Sequence, residues 1–74
     1  MNNKGLFQND KGYVMSYTEM YFDIHNTVYS FFRELGMNYF SLYDEATVMT
    51  DGIIKQIELF DEYSYHGRKW KRFV

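Results

Sequence analysis

Two histidines, and among ten acids the pair Glu19 and Asp23, are the side chains in this 74-residue chain whose types and spacing could suit proton or metal chemistry. Asp23 and His25 stand two residues apart, which on a helix turns their side chains about 200° away from each other. No further ligand stands at metal-binding spacing. His25 is therefore expected to border a core and His66 to sit in a turn. Glu19 and Asp23 are four apart, and adjacent carboxylates can act as acid and base when buried. In the first turns of a helix they instead complement the dipole and face water. The chain has no cysteine, which removes thiol catalysis and any Cys-rich zinc site. It also lacks a Ser-His-acid arrangement and a Gly-rich phosphate loop. The expectation is a protein with no catalytic residues, no metal and no cofactor.

A denser pattern lies at the C-terminal end. Arg68, Lys69, Trp70, Lys71 and Arg72 hold half of the chain's eight basic residues. With Tyr63 and Tyr65 nearby, they have the composition of a single-stranded nucleic-acid platform, charge for phosphates and rings for bases. The same residues also read as one arm of a hairpin. If Tyr65 faces Arg68 across His66-Gly67, then Tyr63 meets Trp70, Glu62 meets Lys71, Asp61 meets Arg72 and Phe60 meets Phe73. Aromatic pairs and opposite charges across a ladder stabilise antiparallel pairing, and a His-Gly turn supplies positive φ. Lys71 and Arg72 then have acidic neighbours, which leaves Arg68 and Lys69 for a ligand. Charges of this kind also guard a sheet edge against aggregation.

Net charge is −2, unevenly placed: +1 over residues 1–11, −7 over 12–67 (nine acids against Arg33 and Lys55) and +4 over 68–74. An acidic body repels a polyanion everywhere except at that basic tip. Seven Phe, eight Tyr and one Trp make 22% of the chain. Each can bury about 150–250 Å², more than the single core of a domain this small easily hides, so some rings are expected to meet a partner. No stretch approaches the roughly 18 apolar residues of a membrane helix and no signal peptide is visible, which points to a cytoplasmic protein.

The elements that must carry these residues follow from periodicity. Residues 1–11 are polar and read as a mobile arm, with residues 12–74 as a single domain. Ser16 and Glu19 form a capping box. Tyr17, Tyr21, Ile24, Val28, Phe31 and Leu35 trace one face of the helix that follows. Phe22, His25, Tyr29 and Phe32 flank that face, and Gly36 stands where a left-handed cap is wanted. The apolar arc spans about 200°, wider than a surface helix needs, so this helix must be covered on two sides. Beyond Gly36, residues 39–43 read as a strand, and Asp51-Gly52 reads as a turn between strands 47–50 and 53–60. The competing reading is a helix through Ala46, Met49, Ile53, Ile57, Phe60 and Tyr63. It would place Gly52 inside a helix at a cost of about 1 kcal/mol relative to Ala.

The expected fold is α+β, one amphipathic helix packed on a three- or four-stranded antiparallel sheet. The expected function is non-enzymatic protein binding through Phe22, Tyr29, Phe32, Tyr63, Tyr65 and Trp70. The partner would be another protein, such as a nucleic-acid-handling complex whose surface the chain occludes. Small, acidic, cysteine-free inhibitors from phages and mobile elements, anti-CRISPR-like proteins among them, share this size and charge, and the analogy extends no further. The alternative is nucleic-acid binding by Arg68, Lys69, Trp70, Lys71 and Arg72. A homodimer through the helix or the sheet edge is the structural reading.

Overall fold

The computed structural model describes residues 5–73, with strands β1 (Leu6–Asn9) and β2 (Val14–Ser16), helices α1 (Tyr17–Glu34) and α2 (Tyr39–Phe60), and strands β3 (Glu62–Tyr65) and β4 (Arg68–Phe73). The strand order is β2-β1-β4-β3 and every neighbouring pair is antiparallel. Two hairpins thus join through their inner strands, with Leu6 opposite Phe73, Phe7 opposite Arg72, Gln8 opposite Lys71 and Asn9 opposite Trp70. The expected α+β class holds, with two helices on the sheet instead of one. Residues 6–9 of the segment expected to be an arm form an inner strand of that sheet. Residues 1–4 lie outside the described residues.

Local chemistry accounts for the hairpins. In β3–β4 the pairs Tyr65–Arg68, Ser64–Lys69, Tyr63–Trp70 and Glu62–Lys71 stand in the expected register. His66 and Gly67 take φ of 48° and 84°, the double positive φ of a type I′ turn. Asp61 also meets Arg72: its carbonyl accepts from the Arg72 N–H at 2.9 Å and its Oδ1 pairs with Nε at 2.9 Å. The expected Phe60–Phe73 pair does not form, because Phe60 ends α2 and Phe73 lies opposite Leu6. In the β1–β2 turn, Asn9 Oδ1 accepts from the Lys11 and Tyr13 amides, and Gly12 closes the loop at φ 83°.

Helix α1 begins on the expected capping box. Ser16 Oγ accepts from the Glu19 amide at 3.2 Å, and Glu19 Oε1 accepts from the Ser16 amide at 2.8 Å. It ends with Gly36 at φ 80°, its N–H on Arg33 O and the Met37 N–H on Phe32 O, a Schellman cap. Residues 35–38 turn the chain into α2, which lies antiparallel to α1: His25 meets Tyr43 and Thr47, and Tyr21 meets Asp51.

Helix α2 overturns the expected strands at 39–43, 47–50 and 53–60. It starts on Asn38, whose Oδ1 accepts from the Phe40 amide, runs through Asp51-Gly52, and stops at Asp61 with φ 72°. The reason is burial. Leu42, Ala46, Thr50, Ile53 and Ile57 recur at helical steps and are all buried, with Ile54 beside them, while Gly52 faces solvent. Burying each isoleucine contributes about 1.5–3 kcal/mol, and three of them outweigh one exposed glycine at about 1 kcal/mol.

Both helices pack on one face of the sheet. Phe7, Met15, Tyr65 and Trp70 point into that interface and close the core with Met20, Ile24, Val28, Ala46 and the isoleucines. Strand alternation sends Leu6, Lys69, Lys71, Phe73 and Glu62 to the opposite, open face.

Candidate protein-binding surface

On α1, Phe31 points to the sheet side, stacked on His66 at 3.8 Å and edge-on to Tyr65 at 5.8 Å. His25 lies about 120° round the helix from it, in the seam with α2 on the side away from the sheet. The stripe Tyr21-His25-Tyr29 has ring centroids 6.3 and 6.4 Å apart, and Tyr43 of α2 closes on His25 at 4.7 Å. Hydrogen bonds fix the seam: His25 Nε2 with Thr47 Oγ1 at 3.1 Å, and the Tyr21 hydroxyl to Asp51 Oδ1 at 3.2 Å. Burial first, and then the Asp51 carboxylate, raise the Tyr21 hydroxyl above its ordinary pKa.

Around this fixed seam stand rings that the fold does not cover. Phe22, edge-on to Tyr21, is 56% exposed, Tyr43 is 62% exposed and Phe40 92%. Tyr39 and Leu35 extend the patch to the helical turn and are also exposed. Tyr29 and Phe32 are half-buried beside them. Of the six residues expected to meet a partner, the structure therefore brings Phe22, Tyr29 and Phe32 together on one face. Tyr39, Phe40 and Tyr43 share this face and are exposed; a strand at 39–43 hides that grouping. The helical spacing of Tyr39, Tyr43 and Thr47 was the available signal. The helical hairpin, residues 17–60, carries seven acids against Arg33 and Lys55, a net −5, and Asp44 and Asp51 follow Phe40 on its side of α2.

The hairpin half of the expected surface moves inward. Tyr65 is buried, Tyr63 half-buried and Trp70 is 0% exposed. The cause is the two-residue period of β4, which turns Arg68, Trp70 and Arg72 toward the helices. Trp70 Nε1 donates to Asp23 Oδ2 at 2.9 Å, and the Arg68 guanidinium lies 5.0 Å from the indole ring. Arg68 donates from Nε to Asp10 Oδ1 (2.8 Å), from Nη1 to Thr27 Oγ1 (2.9 Å) and from Nη2 to Asp23 Oδ2 (3.2 Å). One guanidinium thus ties the β1–β2 turn, α1 and β4 together. Its hydrogen bond holds the Asp10 carboxyl below the ordinary value against the opposing effect of burial. Burial alone would lower Arg68, but Asp10 and Asp23 outweigh it and hold the guanidinium above its usual value.

The other basic residues of the arm divide in the same way. Arg72 pairs with Asp61, and Lys69 with Glu62 at 3.2 Å. Glu62 thus takes the diagonal lysine instead of Lys71, its expected partner directly across. Lys71 has no ion pair among the described residues. A phosphate chain on this arm would find Lys71 available and Arg68, Lys69 and Arg72 already neutralised, with Trp70 out of reach of a base.

Glu19 belongs to the helix cap, Asp23 to the Arg68 network, His25 to the aromatic seam and His66 to a turn. Among the described residues no group of three or more His, Cys, Asp or Glu could hold a metal ion. No described helix is long and apolar enough to cross a membrane. No protein-family model matches this chain, and neither a curated protein nor a solved structure matches it.

Proposed function

We propose that the chain is a protein-binding module whose contact surface is the outer face of the α1–α2 hairpin. The carrying observation is the exposure of Phe40 and Tyr43 beside a hydrogen-bonded aromatic seam. Large rings held on rigid helices lose little side-chain entropy on binding, and aromatic residues dominate interface hot spots. The acids of the same hairpin favour a partner whose contact site is apolar and rimmed by lysine and arginine. An acidic, tyrosine-rich face of this kind can fill a basic nucleic-acid channel, so the reading extends to occluding such a channel on a larger machine. A chain without cysteine suits the reducing cytoplasm, where such machines work.

The test is capture from a source-cell lysate, with and without nuclease, by the tagged chain and by its Phe40→Ser/Tyr43→Ser variant. Phe40 is almost fully exposed, while Tyr43 also packs on His25. The variant therefore loses one ring contact of about 0.5–1.5 kcal/mol and melts lower than the parent, but its far-ultraviolet spectrum at the capture temperature stays that of the folded chain. One protein held near stoichiometrically in both nuclease arms, and lost with the variant, is the expected result. Equal capture by the variant refutes this surface. Recovery of nucleic acid alone moves the function to the basic arm. A dimer in light scattering that dissociates in the variant makes the partner a second copy.

A further inference from the structure

The β1–β2 hairpin and the first half of α1 enclose an open groove of about 380 Å³, separate from the α1–α2 seam but sharing Phe22 with it. Tyr13, 66% exposed, stands on the hairpin side and Phe22 on the helix side, with buried Met15 among the lining residues. Glu19, Asp23 and Asn26 follow one another along α1 at the groove, and no basic residue lines it. Tyr13 has no ring partner among the described residues.

The two carboxylates are half-committed to the fold. Glu19 uses Oε1 on the Ser16 amide, and Asp23 uses Oδ2 on Trp70 and Arg68. Glu19 Oε2 and Asp23 Oδ1 carry no hydrogen bond among the described residues. Arg68, the cation beside Asp23, has its Nε and Nη1 donors directed to Asp10 and Thr27.

The Glu19 carboxylate has no ion pair among the described residues, and Asp23 keeps Oδ1 open while its Oδ2 takes Arg68. A site made of exposed rings, an apolar floor and these carboxylate oxygens selects a cation that has flat apolar faces and donors on its rim. Guanidinium has that form: it stacks on aromatic faces and donates to carboxylates at its edge, whereas a lysine ammonium is a compact, strongly hydrated charge. We propose that this groove receives an arginine side chain of the partner protein. The assignment deepens the protein-binding reading and rests on it, since the groove borders the same helix at Phe22.

The experiment is an amide NMR titration of the full chain with Ac-Gly-Arg-Gly-NH2. The matched peptides carry lysine, or citrulline, which keeps the shape of arginine without the charge. Saturable shifts are expected at Tyr13, Glu19, Phe22 and Asn26 with arginine, weaker shifts with lysine and none with citrulline. Phe22→Ala should weaken arginine binding about fivefold, the loss of one cation–π contact. Glu19→Gln keeps an acceptor for the Ser16 amide, so the helix cap persists, and the lower affinity then reports the charge. Equal shifts with citrulline, shifts centred on Asp44 and Asp51 instead, or no saturable shift at about 10 mM peptide would each overturn the assignment. The titration needs no partner, so it fails independently of lysate capture. A silent groove with partner capture intact removes the arginine assignment alone, and arginine binding without capture removes the protein-surface reading.

Discussion

Replacing Gly52 with alanine tests the largest difference between sequence and structure, because the two alternatives predict opposite signs. In α2 the residue is solvent-exposed at mid-helix, and a Cβ built there meets nothing within 4 Å. Alanine then gains the helix-propensity difference of about 1 kcal/mol without a steric penalty. In a domain of this size that raises the thermal midpoint by roughly 4–8 °C. If residues 47–60 were instead a hairpin turning at Asp51-Gly52, the glycine would need positive φ. Alanine would then cost about 1–2 kcal/mol and the midpoint would fall. Circular dichroism melts and urea titrations measure the change, with an unchanged urea slope showing that stability alone has moved. Gly36→Ala is the internal control: with φ at 80°, that variant must lose stability. A fall in midpoint for Gly52→Ala like that of Gly36→Ala would refute α2.

Trp70→Ala removes a fully buried indole and its hydrogen bond to Asp23. The loss of about 3–5 kcal/mol consumes most of the few kcal/mol a chain this short can hold, so its far-ultraviolet spectrum should report an unfolded or barely folded chain. Asp10→Asn should lower the thermal midpoint at neutral pH and flatten its fall in acid. A carboxyl depressed in the fold contributes fully above its unfolded pKa of about 3.9 and loses that contribution as pH drops through the folded value. A midpoint profile of Asp10→Asn parallel to the parent's would refute the Asp10–Arg68 tie. Tyr65 behaves with the opposite sign. Burial raises its hydroxyl, with a smaller contribution from Tyr63, so its stabilisation is full below pH about 10 and lost as pH rises toward the folded value. Tyr65→Phe keeps the ring and should soften the alkaline decline in midpoint.

The β3–β4 hairpin was legible because its information is local. Turn chemistry at His66-Gly67 and the pairs across the ladder specify one register between them. The limits of α1 were legible for the same reason, from Ser16, Glu19 and Gly36. Helix α2 was obscured by a conflict between local and tertiary preference. Asp51-Gly52 and three isoleucines favour a hairpin by propensity, while the steps 42, 46, 50, 53, 57 favour a helix. What decides between them is a surface to bury those side chains against, and it exists only once α1 and the sheet are in place. Strand β1 was missed because four residues carry too little pattern by themselves; Leu6–Asn9 pairs with a strand more than fifty residues away.

The surplus of aromatic residues leaves Phe22, Tyr39, Phe40 and Tyr43 exposed, while Tyr65 and Trp70, two of the rings expected at a partner, are buried. Trp70 looked available because it sits among charges, and β4 alternation was the overlooked constraint. A strand whose odd neighbours Lys69 and Lys71 face water must turn Arg68, Trp70 and Arg72 toward the helices. Once inside, a guanidinium and an indole N–H need acceptors, and Asp10 and Asp23 provide them. The pairing that neutralises the basic arm is thus a consequence of burying its tryptophan. Three of its four bases have carboxylate partners, while the helical hairpin keeps a net −5 around uncovered rings. A binding surface gains from charges still free to meet a partner and from apolar area still open to water. On both counts the α1–α2 face, and not the basic strand, holds the larger reserve.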